Sequence, residues 1–441
     1  MIINLLRKVR ALTYKFIYGI HDQDFISIIG VTGTDGKTTS VNLLYDCMNV
    51  NNDSHGKVGV ISTLGMKYMG DKFIETGLHT STPSSKEIYR NLRILKRAGI
   101  KYVILELTSH GLEQYRSYGI KLDIAYITNI TPEHLDYHKT FELYRSAKLK
   151  IFNMLKQKGL AIVNLNDNNS RYILEHLKNI RRDIEIHTFS VQDNSINKNT
   201  MENLKADVTL RIIDDVKENE SLINGQKINI KLRNINFDIT THLIGEYNVE
   251  NIGGVFSALY FKRLNMKALI KGISDFKSPE GRLDIVQTKP FTVIVDFAHT
   301  PNAYKNISYA FRGVVARKIV VFGCAGHRDK QKRPVMGKIA GDFADILCIT
   351  EEDPRMEKLD DIYLDITKDI DKCNKKFIEG TNLFRIDDRR DMIEFVLTKL
   401  VQNGDYVFFL GKGHERSLCI GQVEYPWSEV GIVKEFLLKD N

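Results

Sequence analysis

From residue 26 onward, short runs rich in Val, Ile, Leu and Phe alternate with stretches whose apolar residues recur at helical spacing. The runs at 25–31, 57–63, 102–108, 123–130 and 160–166 are strand-length and separated by helical patterns. That rhythm predicts an α/β domain around a mainly parallel sheet. Between residues 185 and 245 the pattern changes. DVTLRII (207–213), INGQKINIKL (223–232) and NFDITTHLI (236–244) read as strands with turn chemistry between them, which predicts an antiparallel annex on the same domain. A helix is predicted over 248–263. A second α/β series follows SPEG (278–281), with strands at 292–298, 317–323, 344–350 and 405–411. It predicts a Rossmann-like domain, although no GxGxxG fingerprint opens it, so nothing there points to a dinucleotide. The boundary falls near 278–290. The chain divides into a segment 1–25, a central domain 26–280 and a C-terminal domain 281–441.

The first twenty residues differ from the rest. Arg7, Lys8, Arg10 and Lys15 occur there with no acid, among apolar residues at helical spacing. This is either a helix packed on the next domain or one lying on an anionic membrane surface. No stretch approaches the ~18 uninterrupted apolar residues of a spanning helix, and the start lacks the apolar run and cleavage site of a secretory signal.

At 441 residues, 43% hydrophobic and 27% charged, with only 8 Pro, the chain is long enough for two or three cored domains without long disordered linkers. Its five cysteines are scattered and never paired at metal-ligand spacing, which fits a reducing cytoplasm. The net charge of +8 is modest and not concentrated in long basic runs. It suits anionic small molecules such as nucleotides better than nucleic acid.

Chemistry concentrates first in GVTGTDGKTTS (30–40), where an apolar strand runs into a glycine loop and then a helix opening on Thr38 and Thr39. Small residues let backbone N–H groups close around phosphate oxygens at a helix N-terminus. Lys37 supplies a point charge near the β/γ-phosphates, and the Thr38 hydroxyl can hold Mg²⁺. The P-loop pattern has four residues between its first Gly and Gly-Lys, so Gly33-Thr34-Asp35-Gly36-Lys37-Thr38 is a shortened form. The fold expected is therefore a central P-loop NTPase-like parallel-sheet domain with an antiparallel annex, followed by the Rossmann-like domain. Glu106 ends the strand YVILELTSHG, where side chains of a parallel sheet reach the ligand crevice. A lone buried Glu there calls for a metal or cation. His134 also follows a strand end, and with Glu133, Asp136 and His138 forms the most ligand-rich segment of the chain. That segment is either a Mg²⁺ site or a solvated loop. By composition Lys148 is an ordinary helix lysine.

The ordered series GTDGKTT (33–39), HTSTPSS (79–85), LELTSHGL (105–112), TNITPEHLDYH (128–138), YRSAKLKIF (144–152), GEYNVEN (245–251), GRLD (281–284), VDFAHTPNA (295–303), FGCAGHRDKQKRPVMG (322–337), EEDPR (351–355), DDRRDMI (387–393) and GKGHE (411–415) resembles the Mur ligase family. The resemblance is to its branch of UDP-N-acetylmuramoyl-dipeptide:amino acid ligases. It runs in order from residue 26 to about residue 430.

The resemblance implies an ATP-dependent amide-bond ligase that phosphorylates a substrate carboxylate to an acyl phosphate, which an incoming amine attacks. Such a site must neutralise phosphates, align an in-line transfer and exclude water. By position in the motifs, Gly33, Thr34, Asp35, Gly36, Lys37, Thr38 and Thr39 hold the phosphates, with Lys37 and Thr38 serving the β/γ-phosphates and a first Mg²⁺. Glu106 and His134 hold a second Mg²⁺, and Lys148 matches a lysine that is carbamylated. Asn248, Arg282 and Asp296 match nucleotide contacts, and His299 is a weaker candidate. Thr108 and Ser109, Arg328, Asp353 and Arg355, and Gly411 and Glu415 fall in the substrate motifs. Arg355 and Glu415 match positions that recognise the distal end of an incoming diamine. A planar guanidinium at Arg328 suits a carboxylate.

The implied partners are a small amino acid and a muropeptide-like acceptor. The alternatives are a γ-glutamyl chain or another cell-wall peptide as acceptor, or a nucleotide-binding subunit without turnover. The family carries an N-terminal domain of on the order of a hundred residues that grips the UDP end of the acceptor, whereas here the phosphate loop begins at residue 30. The expectation is that a partner or another surface supplies that anchor, or that UDP is not what holds the acceptor. Asp35 stands where Asn is usual, Asp353 stands in an Asp-Asn-Pro-Arg motif, and His327 replaces a second Asp, which points to an altered amino-acid preference.

Overall fold

The computed structural model describes residues 2–51, 53–70, 72–74, 82–180, 183–192, 205–217, 223–233 and 235–439. It separates into two compact units, 1–216 with 224–277, and 217–223 with 278–441.

In the first unit, eleven described strands form one sheet. From one edge these are Ile235–Thr241, Ile223–Leu232, Val208–Lys217, Glu185–Gln192, Leu155–Asn164, Leu122–Ile127, Ser27–Thr32, Tyr102–Glu106, Val58–Ser62, Gly65–Tyr68 and Lys72–Ile74. The strands from Val208–Lys217 through Val58–Ser62 pair in parallel. The central ones, Leu122–Ile127, Ser27–Thr32, Tyr102–Glu106 and Val58–Ser62, are near-continuous apolar runs because helices cover both faces of the sheet. Successive residues serve opposite layers: Ile29 and Val31 join one core with the helices Lys37–Val50, Glu246–Phe261 and Met266–Asp275. Ile28 joins the other, with Ser85–Arg97 and Phe141–Leu149. Each fully buried Val, Leu or Ile in these layers contributes about 1.5–3 kcal/mol.

The expected annex is only partly antiparallel. The strand Glu185–Gln192 extends the parallel sheet, and Val208–Lys217 pairs with it in parallel. Among the described pairings of this region, Ile223–Leu232 runs antiparallel to Ile235–Thr241. At the opposite edge Gly65–Tyr68 and Lys72–Ile74 add an antiparallel extension that the sequence pattern did not predict. The helix after the glycine loop starts at Lys37, one residue before the expected Thr38, and the helix expected over 248–263 is Glu246–Phe261. Among the described residues no helix is long and apolar enough to cross a membrane.

The second unit carries a six-stranded sheet in the order Asp284–Gln287, Thr292–Asp296, Tyr406–Leu410, Lys318–Phe322, Ile346–Ile349, Leu383–Arg385. Only the Asp284–Gln287 edge pairs antiparallel. The loops leaving the carboxyl ends of its parallel strands are where a ligand crevice forms in open α/β sheets, and they carry the FAHT, EEDPR and GKGHE motifs.

Candidate active site

The strand Ser27–Thr32 delivers the chain into the loop 33–36 and the helix Lys37–Val50. Two glycines make that turn. Gly36 caps the helix at φ 79°, and a Cβ there would lie 2.2 Å from Asn251 Oδ1. A Cβ on Gly33 would lie 1.7 Å from Thr128 Oγ1. The loop is pinned from a neighbouring strand end: Asn129 Oδ1 accepts from the Asp35 N–H at 3.0 Å, and Thr128 Oγ1 donates to the Asp35 carbonyl at 2.6 Å. With Gly36 as its cap, the helix start has no side-chain cap bond. A helix N-terminus of this kind presents N–H groups and the positive end of the helix dipole to a phosphate. Lys37 folds back over the loop, its Nζ donating to the Thr34 carbonyl at 2.7 Å, and Thr39 is buried behind it.

Glu106 closes the strand Tyr102–Glu106 and is buried. Its Oε1 and Oε2 accept from Thr38 Oγ1 at 3.0 and 3.1 Å, and it also accepts from the Thr63 hydroxyl at 2.7 Å and the Thr63 N–H at 3.0 Å. Strand order dictates this meeting, because Val31 and Glu106 are partners in the parallel register.

Lys148 is almost wholly buried on the helix Phe141–Leu149, far from the ordinary surface lysine its composition suggested. Its Nζ donates to the Gly33 carbonyl at 2.5 Å and lies 4.5 Å from the Tyr144 ring. Burial pushes its pKa well below the usual lysine value, and the positive charge of Lys37 adds to the shift against Asp35, Glu133 and Asp167. The structure therefore brings Lys37, Thr38, Glu106 and Lys148 together around the glycine loop. Tyr144, whose hydroxyl lies 2.9 Å from Thr34 Oγ1, links the loop to the Lys148 helix.

His134 sits at φ 56° before the short helix Leu135–His138. Its ring is edge-on to His110 at 4.7 Å and 6.4 Å from Tyr144. In the segment expected to be rich in metal ligands, Glu133 Oε1 lies 4.0 Å from His134 Nδ1, His138 lies against Ser109 Oγ at 3.0 Å, and Asp136 is exposed. Among the described residues no three His, Cys, Asp or Glu side chains gather to hold a metal. The segment is neither a solvated loop nor an all-protein cage. Mg²⁺ is ordinarily held by one or two carboxylates plus substrate phosphates and water, and the Thr38 hydroxyl with the Glu106 carboxylate fits that donor chemistry.

Thr108 has a structural task, since its Oγ1 accepts from the Gly111 N–H at 3.1 Å and caps the helix Ser109–Glu113. Asn248 does not cap the helix it was thought to begin, because Gly245 does. It is buried, donating to the Ile244 carbonyl at 2.9 Å and accepting from Asn251 Nδ2 at 3.1 Å. Residues 79–81 of the HTSTPSS motif lie outside the described residues.

In the second unit, Asp296 accepts from the Leu283 and Ala298 N–H groups, each at 2.6 Å, and so clamps the loop that carries GRLD. Arg282 stacks over the Phe297 ring at 4.5 Å, and His299 Nδ1 lies 2.8 Å from the Phe297 carbonyl. Lys412 is fully buried between Asp353 Oδ1 at 2.9 Å and Glu415 Oε2 at 2.5 Å. Burial opposes its charge, but Glu415 and Asp353 outweigh it and raise its pKa. Arg355, at φ 51°, donates from Nη1 to the Gly326 carbonyl at 2.8 Å, and its Nη2 lies 3.9 Å from Asp353 Oδ2. Gly411 at φ 107° leaves room for Glu352, whose Oε2 lies 2.6 Å from where a Cβ would be. Arg328 is exposed.

Sequence reasoning missed the framework of this region. Arg389 is buried with Glu429 at 2.6 Å and donates to the carbonyls of Glu351 and Leu410, tying the starts of the EEDPR and GKGHE loops together. Removing one partner of such a pair leaves an uncompensated buried charge at a cost of about 3–5 kcal/mol. Glu352 is buried too, its pKa raised to about 7 chiefly by burial. Both stand inside motifs already singled out, DDRRDMI and EEDPR, but nothing local in those motifs records their burial or their partners. In the first unit Asn129 and Asn251 stood inside motifs already singled out, so their nearness to the loop was within reach, whereas Thr63 had none.

Residues 31–259 match the Mur ligase middle domain, and 281–413 match the Mur ligase glutamate ligase domain. A UDP-N-acetylmuramoyl-L-alanyl-D-glutamate–2,6-diaminopimelate ligase of Caldanaerobacter subterraneus subsp. tengcongensis is 31% identical over 414 residues, 93% of this chain and 78% of the relative. A solved structure of a ligase with that description superposes with a TM-score of 0.61 at 28% identity, covering 97% of this chain and 82% of the other. The Mycobacterium tuberculosis folylpolyglutamate synthase, complexed with ADP and AMPPCP, gives a TM-score of 0.71 at 15% identity over 92% of each chain, a likeness of fold alone. With both domain models matched in order and a relative aligned across nearly the whole chain, the protein belongs to the Mur ligase family of ATP-dependent amide-bond ligases.

Proposed function

We propose that the chain adds 2,6-diaminopimelate to the glutamate carboxylate of a UDP-N-acetylmuramoyl dipeptide. The relatives' substrates supply the reading, and the observation that carries it in this chain is the buried contact of Thr38 with Glu106 beside the Gly33–Gly36 turn. In the first step a carboxylate oxygen of the acceptor attacks the γ-phosphorus of ATP, the bond to the β-bridging oxygen breaks, and ADP leaves. In the second the amine attacks the acyl carbon, phosphate departs with the electron pair of the C–O bond, and the nitrogen loses a proton. Both steps put negative charge on oxygens, and in this reading the Lys37 ammonium meets it. Magnesium, held by Thr38 and Glu106 with His134 at a second position, would neutralise the phosphates.

The buried Lys148 amine has the lowered pKa that lets a neutral nitrogen add CO₂, forming an N–C bond and releasing a proton. The resulting carbamate would supply a further anion to the second metal position. Asn248, Arg282 and Asp296 are assigned to the nucleotide. Arg355 and Asp353 are assigned to the distal carboxylate and amine of diaminopimelate, with Arg328, Gly411 and Glu415 in the same substrate role.

Phosphate release from ATP should require the dipeptide acceptor and diaminopimelate together, and release with either one absent would refute the coupling. Arg355→Ala is expected to raise KM for diaminopimelate roughly 10–100-fold while barely moving that for ATP, because a lost charge-assisted contact removes about 1.5–3 kcal/mol. Steady-state kinetics with each substrate varied in turn reads the difference, and equal rises for both would take Arg355 out of the amino-acid pocket.

A further inference from the structure

The helix Ile2–Ile17 is turned the wrong way round for a helix that serves only to pack on its neighbour. Residues spaced i, i+4, i+7 and i+11 share one face, and here Leu5, Val9, Leu12 and Phe16 form such a stripe, flanked by Ile2 and Leu6. All six are exposed, Phe16 at 87% and Ile2 at 72%. The opposite face holds the helix on the protein: Ala11 is fully buried, Lys15 donates to the Gly119 carbonyl at 2.7 Å, and Lys8 lies over the Tyr115 ring at 4.6 Å. The more polar side faces inward and the apolar side faces out.

The surroundings are cationic. The helix carries Arg7, Lys8, Arg10 and Lys15 with no acid. It packs against the helix Ser85–Arg97, SKEIYRNLRILKR, which adds five basic residues against Glu87 alone. Asp22 and Asp24 of the following loop pair with Lys15 and Lys96, so the two helices and that loop together bring nine basic groups against three acidic ones. A second copy would set this charge against itself, and an apolar protein partner would leave the charge unexplained.

We propose that the exposed face of Ile2–Ile17 docks on an anionic lipid surface. The stripe Leu5, Val9, Leu12 and Phe16 enters the boundary between headgroups and acyl chains, and the exposed Arg10, with the exposed Lys86, Arg90 and Arg97 of the neighbouring helix, meets the lipid headgroups. Apolar burial and charge attraction act together in such helices, with depth limited to about 5–10 Å.

Co-sedimentation of the full chain with phosphatidylcholine vesicles, with and without phosphatidylglycerol, tests this. Binding to the anionic vesicles is expected to exceed binding to the neutral ones by at least roughly tenfold and to weaken with added salt. The double variant Leu5→Asp/Phe16→Asp, both at exposed positions, should abolish binding while keeping the thermal midpoint of the parent. No binding by the parent, or equal binding to neutral vesicles, would overturn the proposal. So would undiminished binding by a folded variant, or a concentration-dependent dimer that the variant loses, which would assign the face to a second copy.

Discussion

Lys37→Ala is expected to give a folded protein that ligates at least about a thousandfold more slowly, a loss of roughly 4 kcal/mol of transition-state stabilisation. The loop is shaped by Gly33 and Gly36 and pinned by Asn129 and Thr128, and none of these contacts passes through the Lys37 ammonium. The Lys37 ammonium donates to the Thr34 carbonyl at 2.7 Å. That bond orients the ammonium over the loop. Its loss should therefore fall on phosphoryl transfer and leave the fold alone. The measurement is single-turnover phosphate release beside a thermal melt, and wild-type-like turnover by a folded variant would remove the loop from phosphate binding.

Lys148→Met should abolish ligation without lowering stability. A buried lysine whose folded-state pKa lies well below its unfolded value is costly to keep charged. Between the two values the unfolded chain binds the extra proton, so this residue's contribution to stability rises as pH rises through that window and is least favourable below the folded pKa. Met keeps the apolar stem and removes that penalty, so the variant should melt no lower than the parent, with its largest advantage on the acid side.

Activity should fail for a different reason. The proposed carbamylation needs the amine, and without it the metal position proposed beside Glu106 and His134 would lose its further anion. Activity should also fall when bicarbonate is stripped at low pH and recover when it is restored. Intact mass gives the decisive reading, because a fully active enzyme without the increment of one CO₂ at Lys148 would take the residue out of the mechanism.

What the sequence revealed and what it hid have physical causes. Strands buried on both faces, such as Tyr102–Glu106, are continuous apolar runs and stand out locally. The strand Glu185–Gln192, EIHTFSVQ, is only partly buried, and its parallel pairing depends on distant partners that no local pattern records. Gly65–Tyr68 and Lys72–Ile74 are four and three residues long, too short to show a period.

At the site, Lys37 and Thr38 were legible because a glycine loop before a helix has one evident chemistry. The environment of Lys148 was not, since its burial comes from the Gly33 carbonyl and Tyr144 meeting it only in the folded chain. The motif order placed Glu106 at a strand end, but its contact with Thr63 belongs to the sheet order. The directions of the side chains in 128–138 were not legible, because spacing within a turn does not fix which way four side chains point.

The most direct test of the account is the mass of the product formed from ATP, 2,6-diaminopimelate and a UDP-N-acetylmuramoyl-L-alanyl-D-glutamate acceptor. The account predicts a product heavier than the acceptor by one diaminopimelate residue, formed with one phosphate released for each bond. ATP consumption without that product, or an acceptor recovered unchanged while the folded enzyme binds nucleotide, would contradict it.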